Sequence, residues 1–271
     1  MGFLAYLSGL AVPVRYALAT FAALALLVGG WLLDAKFERS GWYAWFESKI
    51  RPFRDSAAMS LGFLAGGTVL VAAARGNLLL SSVGFSAFGV SGPVWQAGQA
   101  IIGSLLLIGL FVNFAAAGLL FLEAALLAVA GVAALPQLYW AGIAVFLFCF
   151  SRGRYSLDWF LGKPMLSSPG QRKAAYLAMR ITVGTALGAT ALWTIPQTEH
   201  PIARTLGLAA ALAVVTGFVT RVSAALLLPF VYAAVFLAHV DPLVLLPVSA
   251  VLYVLFVFGD TYHKHDEGRA N

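Results

Sequence analysis

Long apolar runs separated by short polar joints fill this chain from residue 14 to residue 258. A helix crossing the hydrocarbon core of a bilayer needs about 20 apolar residues, and somewhat fewer inside a bundle. The pattern therefore predicts nine spans, at 14–33, 56–74, 96–111, 114–135, 136–150, 174–193, 202–219, 222–240 and 242–258. Two joints are tight, at Asn113 and at Thr220 with Arg221, and each reads either as a turn or as a kink in one long helix. The run 78–90 is too short to span and rich in Ser and Gly, which places it as a re-entrant or interfacial segment.

Composition turns these runs into a statement about solvent. Hydrophobic residues make up 61% of the chain and charged residues 10%, against about 25% charged in a soluble globular domain. The expected fold is therefore an all-α integral membrane protein whose main partner is the lipid bilayer. The net charge of +6 comes from short clusters between apolar runs, not from one solvated face, which argues against nucleic acid as a partner. Cys149 is the sole cysteine, which excludes an intrachain disulfide, a CxxC pair and a multi-cysteine metal site. No basic region precedes the first apolar stretch, so the first span is expected to be retained and not cleaved as a signal peptide.

Lysine and arginine gather on the cytoplasmic side of a membrane protein. With nine spans and the N-terminus outside, all but Arg15, Arg75 and Arg204 of the 17 basic residues fall on that side, and the C-terminus is cytoplasmic. The expected location is the cytoplasmic membrane of a bacterium or archaeon.

The two halves also resemble each other. Gly109, Asn113 and Ala116 align with Gly217, Arg221 and Ala224, and the apolar run from Ala144 to Gly153 aligns with that from Ala250 to Gly259. Spans two to five and six to nine thus read as two four-helix repeats, parallel because each holds an even number of spans. The domains are 1–53, an N-terminal span and basic loop; 54–165, the first repeat; and 166–271, the second repeat and tail.

The longest polar interruption of the second half, SRGRYSLDWFLGKP, begins at Ser151. Within it Gly153, Arg154, Tyr155, Ser156, Leu157 and Asp158 resemble the GPGRYSLD ending of DoxX-type proteins, a four-helix membrane family related to the DoxD subunit of thiosulfate:quinone oxidoreductase. Ser151 and Arg152 replace the family's Gly-Pro, and the second copy reads FGDTYHKHD. The resemblance implies a membrane-integral subunit of a quinone-linked oxidoreductase system, with quinone as a possible ligand and other oxidoreductase subunits as partners. Read for physics alone, Arg152 and Arg154 suit anionic headgroups and Tyr155 suits the interfacial belt. Ser156 and Asp158 suit the cap of a short helix lying on the membrane.

Glu123 is the sharpest candidate for chemistry, an acid inside FAAAGLLFLEAALLAVAG with no basic residue near it in sequence. A carboxyl at that depth must be protonated, paired across helices or facing a wet cavity. The repeat alignment sets apolar Val231 at the matching position, beside Tyr232, so the fold does not demand the acid. Glu123, with Asn113 and Tyr232, is the candidate ligand site, and proton exchange with a quinone is its natural chemistry; a packing hydrogen bond is the bland alternative. Arg180 is placed to snorkel to the inner surface, and Arg221 to pair with Asp158 or Asp260. Together with Arg152, Arg154, Tyr155 and Asp158 these form a partner or headgroup contact. His200, His239 and Asp241, with Glu199, meet at outer turns and are weak candidates for a metal. No haem histidine pair, HExxH, phosphate-binding glycine loop or Ser/His/Asp order occurs, so no self-contained catalyst is expected. Two other classes fit the same features, a small-molecule or lipid transporter built on parallel repeats and a non-catalytic membrane scaffold.

Overall fold

The computed structural model describes residues 41–150, 156–161, 168–193, 201–217, 220, 221, 223–225, 227, 228, 231, 232 and 241–259. The expected first span, 14–33, lies outside the described residues. So do Arg152, Arg154, Tyr155, His200 and His239. The described chain is all helical, with one isolated bridge between Asn77 and Gly84 and no strand.

The helices are α1 (Gly41–Ile50), α2 (Phe53–Ala74), α3 (Gly92–Ile108), α4 (Val112–Ala130), α5 (Tyr139–Phe150), the single turn α6 (Leu157–Phe160), α7 (Pro169–Trp193), α8 (Pro201–Thr216) and α9 (Leu245–Phe258). Further helical residues lie at 220, 221, 223–225, 227, 228, 231 and 232. Prolines open α7 and α8, where the missing amide costs nothing, and Pro93 sits in the first turn of α3. Among the described residues, three helical stretches are long and apolar enough to cross a membrane, Phe53–Ala74, Val112–Gln137 and Pro169–Leu192. Tyr139–Phe150, Gly207–Thr216 and Leu245–Phe258 are shorter apolar helices.

The joint near Asn113 is a reversal, not a kink. Gly109 stops α3 in the left-handed conformation at φ 77°, its N–H donating to the Leu105 carbonyl, and Phe111 is also left-handed at φ 49° just before α4. Gly217 does the same after α8, with φ 76° and its N–H donating to the Ala213 carbonyl at 3.1 Å. These stops are why α3 and α8 end three residues short of the apolar pattern, at Ile108 and Thr216.

Packing follows the small residues. On α2, a Cβ at Gly66 would come within 2.5 Å of the Leu107 amide and 2.8 Å of the Gly103 carbonyl, so α2 and α3 meet backbone to backbone. On α7, a Cβ at Gly184 would lie 2.9 Å from the Ala211 carbonyl and 3.2 Å from the Val215 amide of α8. Beyond these two pairs, α4 packs on α5, α5 on α7 and α9 on α2. At the α5 to α7 crossing, Gly142 faces Met179 and Thr182.

The segment 75–91 does not span. Leu78 donates its N–H to the Val83 carbonyl, and a 3-10 turn follows at Phe85–Ser91. Gln99 of α3, fully buried, holds this loop down: its side-chain oxygen accepts the Leu79 N–H at 2.9 Å, and its amide donates to the Asn77 and Val69 carbonyls, each at 3.1 Å. The loop caps the end of the bundle where α2 finishes and α3 begins. At that same end Arg75 forms an ion pair with Asp241, just ahead of α9. Among the described lysines and arginines, Arg75 and Arg204 belong to this end; Lys49, Arg51, Arg54, Arg172, Lys173 and Arg221 lie at the opposite, basic end.

Candidate functional site

A buried stripe on α4 places Glu123. Val112, Ala115, Ala116, Leu119, Leu122, Glu123 and Leu126 recur at helical spacing and are the buried residues of that helix, while Phe114 and Phe121 point outward on the other side. The carboxyl therefore faces protein, not lipid. Glu123 is 1% exposed, and neither of its oxygens has a hydrogen-bond partner among the described residues. Tyr139, at the start of α5, which packs on α4, is buried as well. The adjoining Trp140 is fully buried, and its Nε1 makes no well-formed hydrogen bond among the described residues. Two residues before Tyr139, the buried side-chain oxygen of Gln137 is also unpartnered among the described residues.

Leaving a buried polar group without a partner costs roughly 1–3 kcal/mol, and more for an ionised one. Native proteins carry few such groups. A carboxyl within α4, and an indole N–H and an amide oxygen at the junction that leads into α5, are so left. The carboxyl can hold or release a proton, the indole N–H donates and the amide oxygen accepts.

The other residues expected at this site are elsewhere. Asn113 lies ten residues from Glu123 on the same helix, about 15 Å along its axis at 1.5 Å per residue, and sits at the basic end. Tyr232 is 44% exposed, facing outward where Glu123 faces in.

Of the residues read as a partner or headgroup contact, the described ones, Asp158, Arg180 and Arg221, have structural partners. Asp158 is buried, and its two carboxylate oxygens accept the N–H groups of Phe111 at 3.0 Å and Val112 at 2.8 Å, capping α4 across 46 and 47 residues of sequence. Its own N–H donates to the Gly109 carbonyl at 3.2 Å. The carboxylate thus tends the N-terminus of a distant helix, where amides and dipole favour negative charge, and not the short helix that it opens. Arg180 corrects the snorkelling expectation. It is buried, and its guanidinium donates to the Val214 and Val215 carbonyls at 3.1 Å each, capping the end of α8 over Gly217. A side chain at Gly217 would collide with that guanidinium.

Arg221, also buried, bonds Glu47 of α1 at 2.6 Å, and Glu47 pairs in addition with Arg54 of α2. One carboxylate on the short α1 helix thereby joins two arginines from different parts of the bundle. Arg221 lies over the Phe46 ring at 5.8 Å, and Phe46 meets Phe256 of α9 edge to face. Asp241 is engaged by Arg75 and by the Leu243 N–H. Among the described residues no group of His, Cys, Asp and Glu is arranged to hold a metal.

Sequence reasoning found Glu123 and missed Tyr139, Trp140, Gln99 and Glu47. The first two read only as aromatics at the start of an apolar run, and Glu47 only as one acid within a basic loop. No family model, curated protein or solved structure matches the chain.

Proposed function

We propose that this chain is a membrane-integral subunit of a quinone-linked oxidoreductase system, similar to DoxX and DoxD proteins, in which Glu123 exchanges protons with a membrane-dissolved quinone. One observation carries the reading: a fully buried carboxyl on the protein-facing side of an apolar helix with neither oxygen partnered among the described residues. A protonated carboxyl donates to a quinone carbonyl, and a carboxylate accepts from a quinol hydroxyl. The same group therefore takes or gives the proton as electrons supplied by a partner subunit reduce the ring.

The architecture proposed with it is nine spans, an N-terminal helix followed by two parallel four-helix repeats at 54–165 and 166–271. Support comes from the matched stops at Gly109 and Gly217. The matched close approaches of Gly66 to Gly103 and Leu107, and of Gly184 to Ala211 and Val215, add to it. The packing of α5 on α7 and of α9 on α2 is what an axis along the membrane normal would give. Lysine and arginine at one end favour that end as cytoplasmic, in a bacterial or archaeal cytoplasmic membrane with the N-terminus outside. The degenerate second copy, with Val231 opposite Glu123, favours one site per chain.

The test is extraction of the detergent-purified protein with organic solvent and mass analysis for quinones, paired with quinone-linked turnover of membranes carrying Glu123→Gln. Quinone recovered from wild type, with turnover impaired in a variant that expresses and assembles normally, supports the proposal. Equal turnover in the two refutes it.

A further inference from the structure

No Asp, Glu, Lys, Arg or His occurs between Arg75 and Glu123, so the loop 76–91 and all of α3 are uncharged. Irregular backbone at membrane depth is tolerated only where its polar groups find partners within the protein. In this loop they do. The Leu78 N–H donates to the Val83 carbonyl, the Val83 N–H to the Ser81 hydroxyl, the Phe85 N–H to the Gly76 carbonyl and the Ala87 N–H to the Gly84 carbonyl. The Ser91 hydroxyl donates to the Phe88 carbonyl, and Gln96 joins Gln99 in serving the segment by donating to the Ala73 carbonyl at 2.8 Å.

Depth follows from α3. Its 17 residues span about 25 Å at 1.5 Å per residue, less than a hydrocarbon core of about 30 Å. With Gly109 at the basic boundary, Gly92 at the other end of α3 therefore stops short of the opposite boundary. Gln99, which holds the Leu79 N–H, lies about 10 Å farther in along α3. On the outward side a ladder of three rings makes the same connection. Phe88 of the loop stacks on Trp95 of α3 with centroids 4.6 Å apart, and Trp95 stacks on Phe121 with centroids 5.4 Å apart and planes within 6°. Phe121 is the middle residue of α4 and points outward. Val94, Ile101 and Ile108 line the exposed side of α3 at seven-residue spacing, and Val90, fully exposed, precedes them in the loop.

We infer that residues 85–91, with Val94 and Trp95, form a re-entrant surface immersed in the leaflet opposite the basic end, with acyl chains as the partner of its outward face. That face is continuous with the exposed apolar sides of α3 and α4. A loop in water gains little from glutamines that hold its backbone from within, since water supplies the same bonds. Acyl chains cover this loop instead, so a water-soluble subunit finds no loop to grip on the α2 to α3 side of that end. The inference rests on the membrane-integral reading of the chain, not on Glu123 or quinone.

The experiment uses the full chain with Cys149→Ala, spin-labelled at Val90→Cys, at Val94→Cys or at Phe63→Cys, an exposed position in the middle of α2, in vesicles of phosphatidylcholine and phosphatidylglycerol. Power-saturation electron paramagnetic resonance compares collision of each label with oxygen, which concentrates in hydrocarbon, and with a water-soluble nickel chelate. Labels at Val90 and Val94 should meet oxygen about fivefold or more over the chelate, as the Phe63 label does, because the polar chelate is excluded from hydrocarbon. If the Phe63 label favours oxygen while the Val90 and Val94 labels favour the chelate, the immersed loop is overturned and the membrane reading stands. If the Phe63 label favours the chelate, both fall. Labels at Val90 that broaden one another, or that neither reagent reaches, would put a second copy or another protein on this face and overturn the inference.

Discussion

Replacing Asp158 with alanine removes the carboxylate that caps the N-terminus of α4, and the structure sets the size of the effect. Two amides lose a charged acceptor. Val112 is fully buried, so its N–H, now held at 2.8 Å, would be left unsatisfied, while Phe111 is more than half exposed and water can replace its bond. A hydrogen bond to a charged group contributes about 1.5–3 kcal/mol when buried, and an N-cap lost at an exposed amide about 0.5–1 kcal/mol. Together the loss is about 2–4 kcal/mol. At about 2–4 °C per kcal/mol for a chain of this size, Asp158→Ala should melt roughly 4–16 °C below wild type in the same detergent. Thermal unfolding followed by fluorescence-detected size exclusion reads this directly. Asp158→Asn, which keeps one acceptor oxygen, should lose about half as much. Leu157→Ala, at an adjacent residue 42% exposed, should stay within about 0.5 kcal/mol of wild type. An Asp158→Ala protein that melts with wild type would refute the cap and return Asp158 to the membrane surface.

Gln99→Leu should release the loop over the far end: hydrogen exchange at Leu79, whose N–H the glutamine oxygen accepts, should speed up by an order of magnitude or more while α4 is unaffected. Unchanged exchange would mean the loop holds itself. Reporters fused at Ser86 and after Asn271 should lie on opposite sides of the membrane, the second cytoplasmic; the same side for both would make the span count wrong by an odd number.

What the sequence made legible was whatever is local and apolar. The long apolar helices, α2, α4 and α7 among them, follow from runs of apolar residues, because the requirement to cross lipid is written at every position of such a run. Their ends moved where single residues decide the backbone, as at Gly109, whose left-handed φ stops α3 at Ile108 although Leu110 and Phe111 continue the apolar pattern. Glu123 stood out because an acid in an apolar run violates a local rule. The buried Tyr139 and Trp140 violate none, since aromatics at the end of an apolar run are ordinary. Contacts between distant stretches were out of reach. Asp158 was read as a local cap or a surface group, and only tertiary structure carries its carboxylate to Phe111 and Val112. In the same way Arg221 finds Glu47 of α1, 174 residues away. Arg180 was expected to snorkel because its span position allowed it; a nearer set of carbonyls at the end of α8 takes the guanidinium instead.

The central claim is that Glu123 is kept for function at a cost to stability, and Glu123→Met separates the two. Methionine has similar length and needs no partner, so it removes the penalty of an unpartnered buried carboxyl, about 1–3 kcal/mol. The account predicts that Glu123→Met melts at or above wild type while losing quinone-linked turnover. A variant that melts several degrees below wild type would show the carboxyl holding the fold together and contradict the claim.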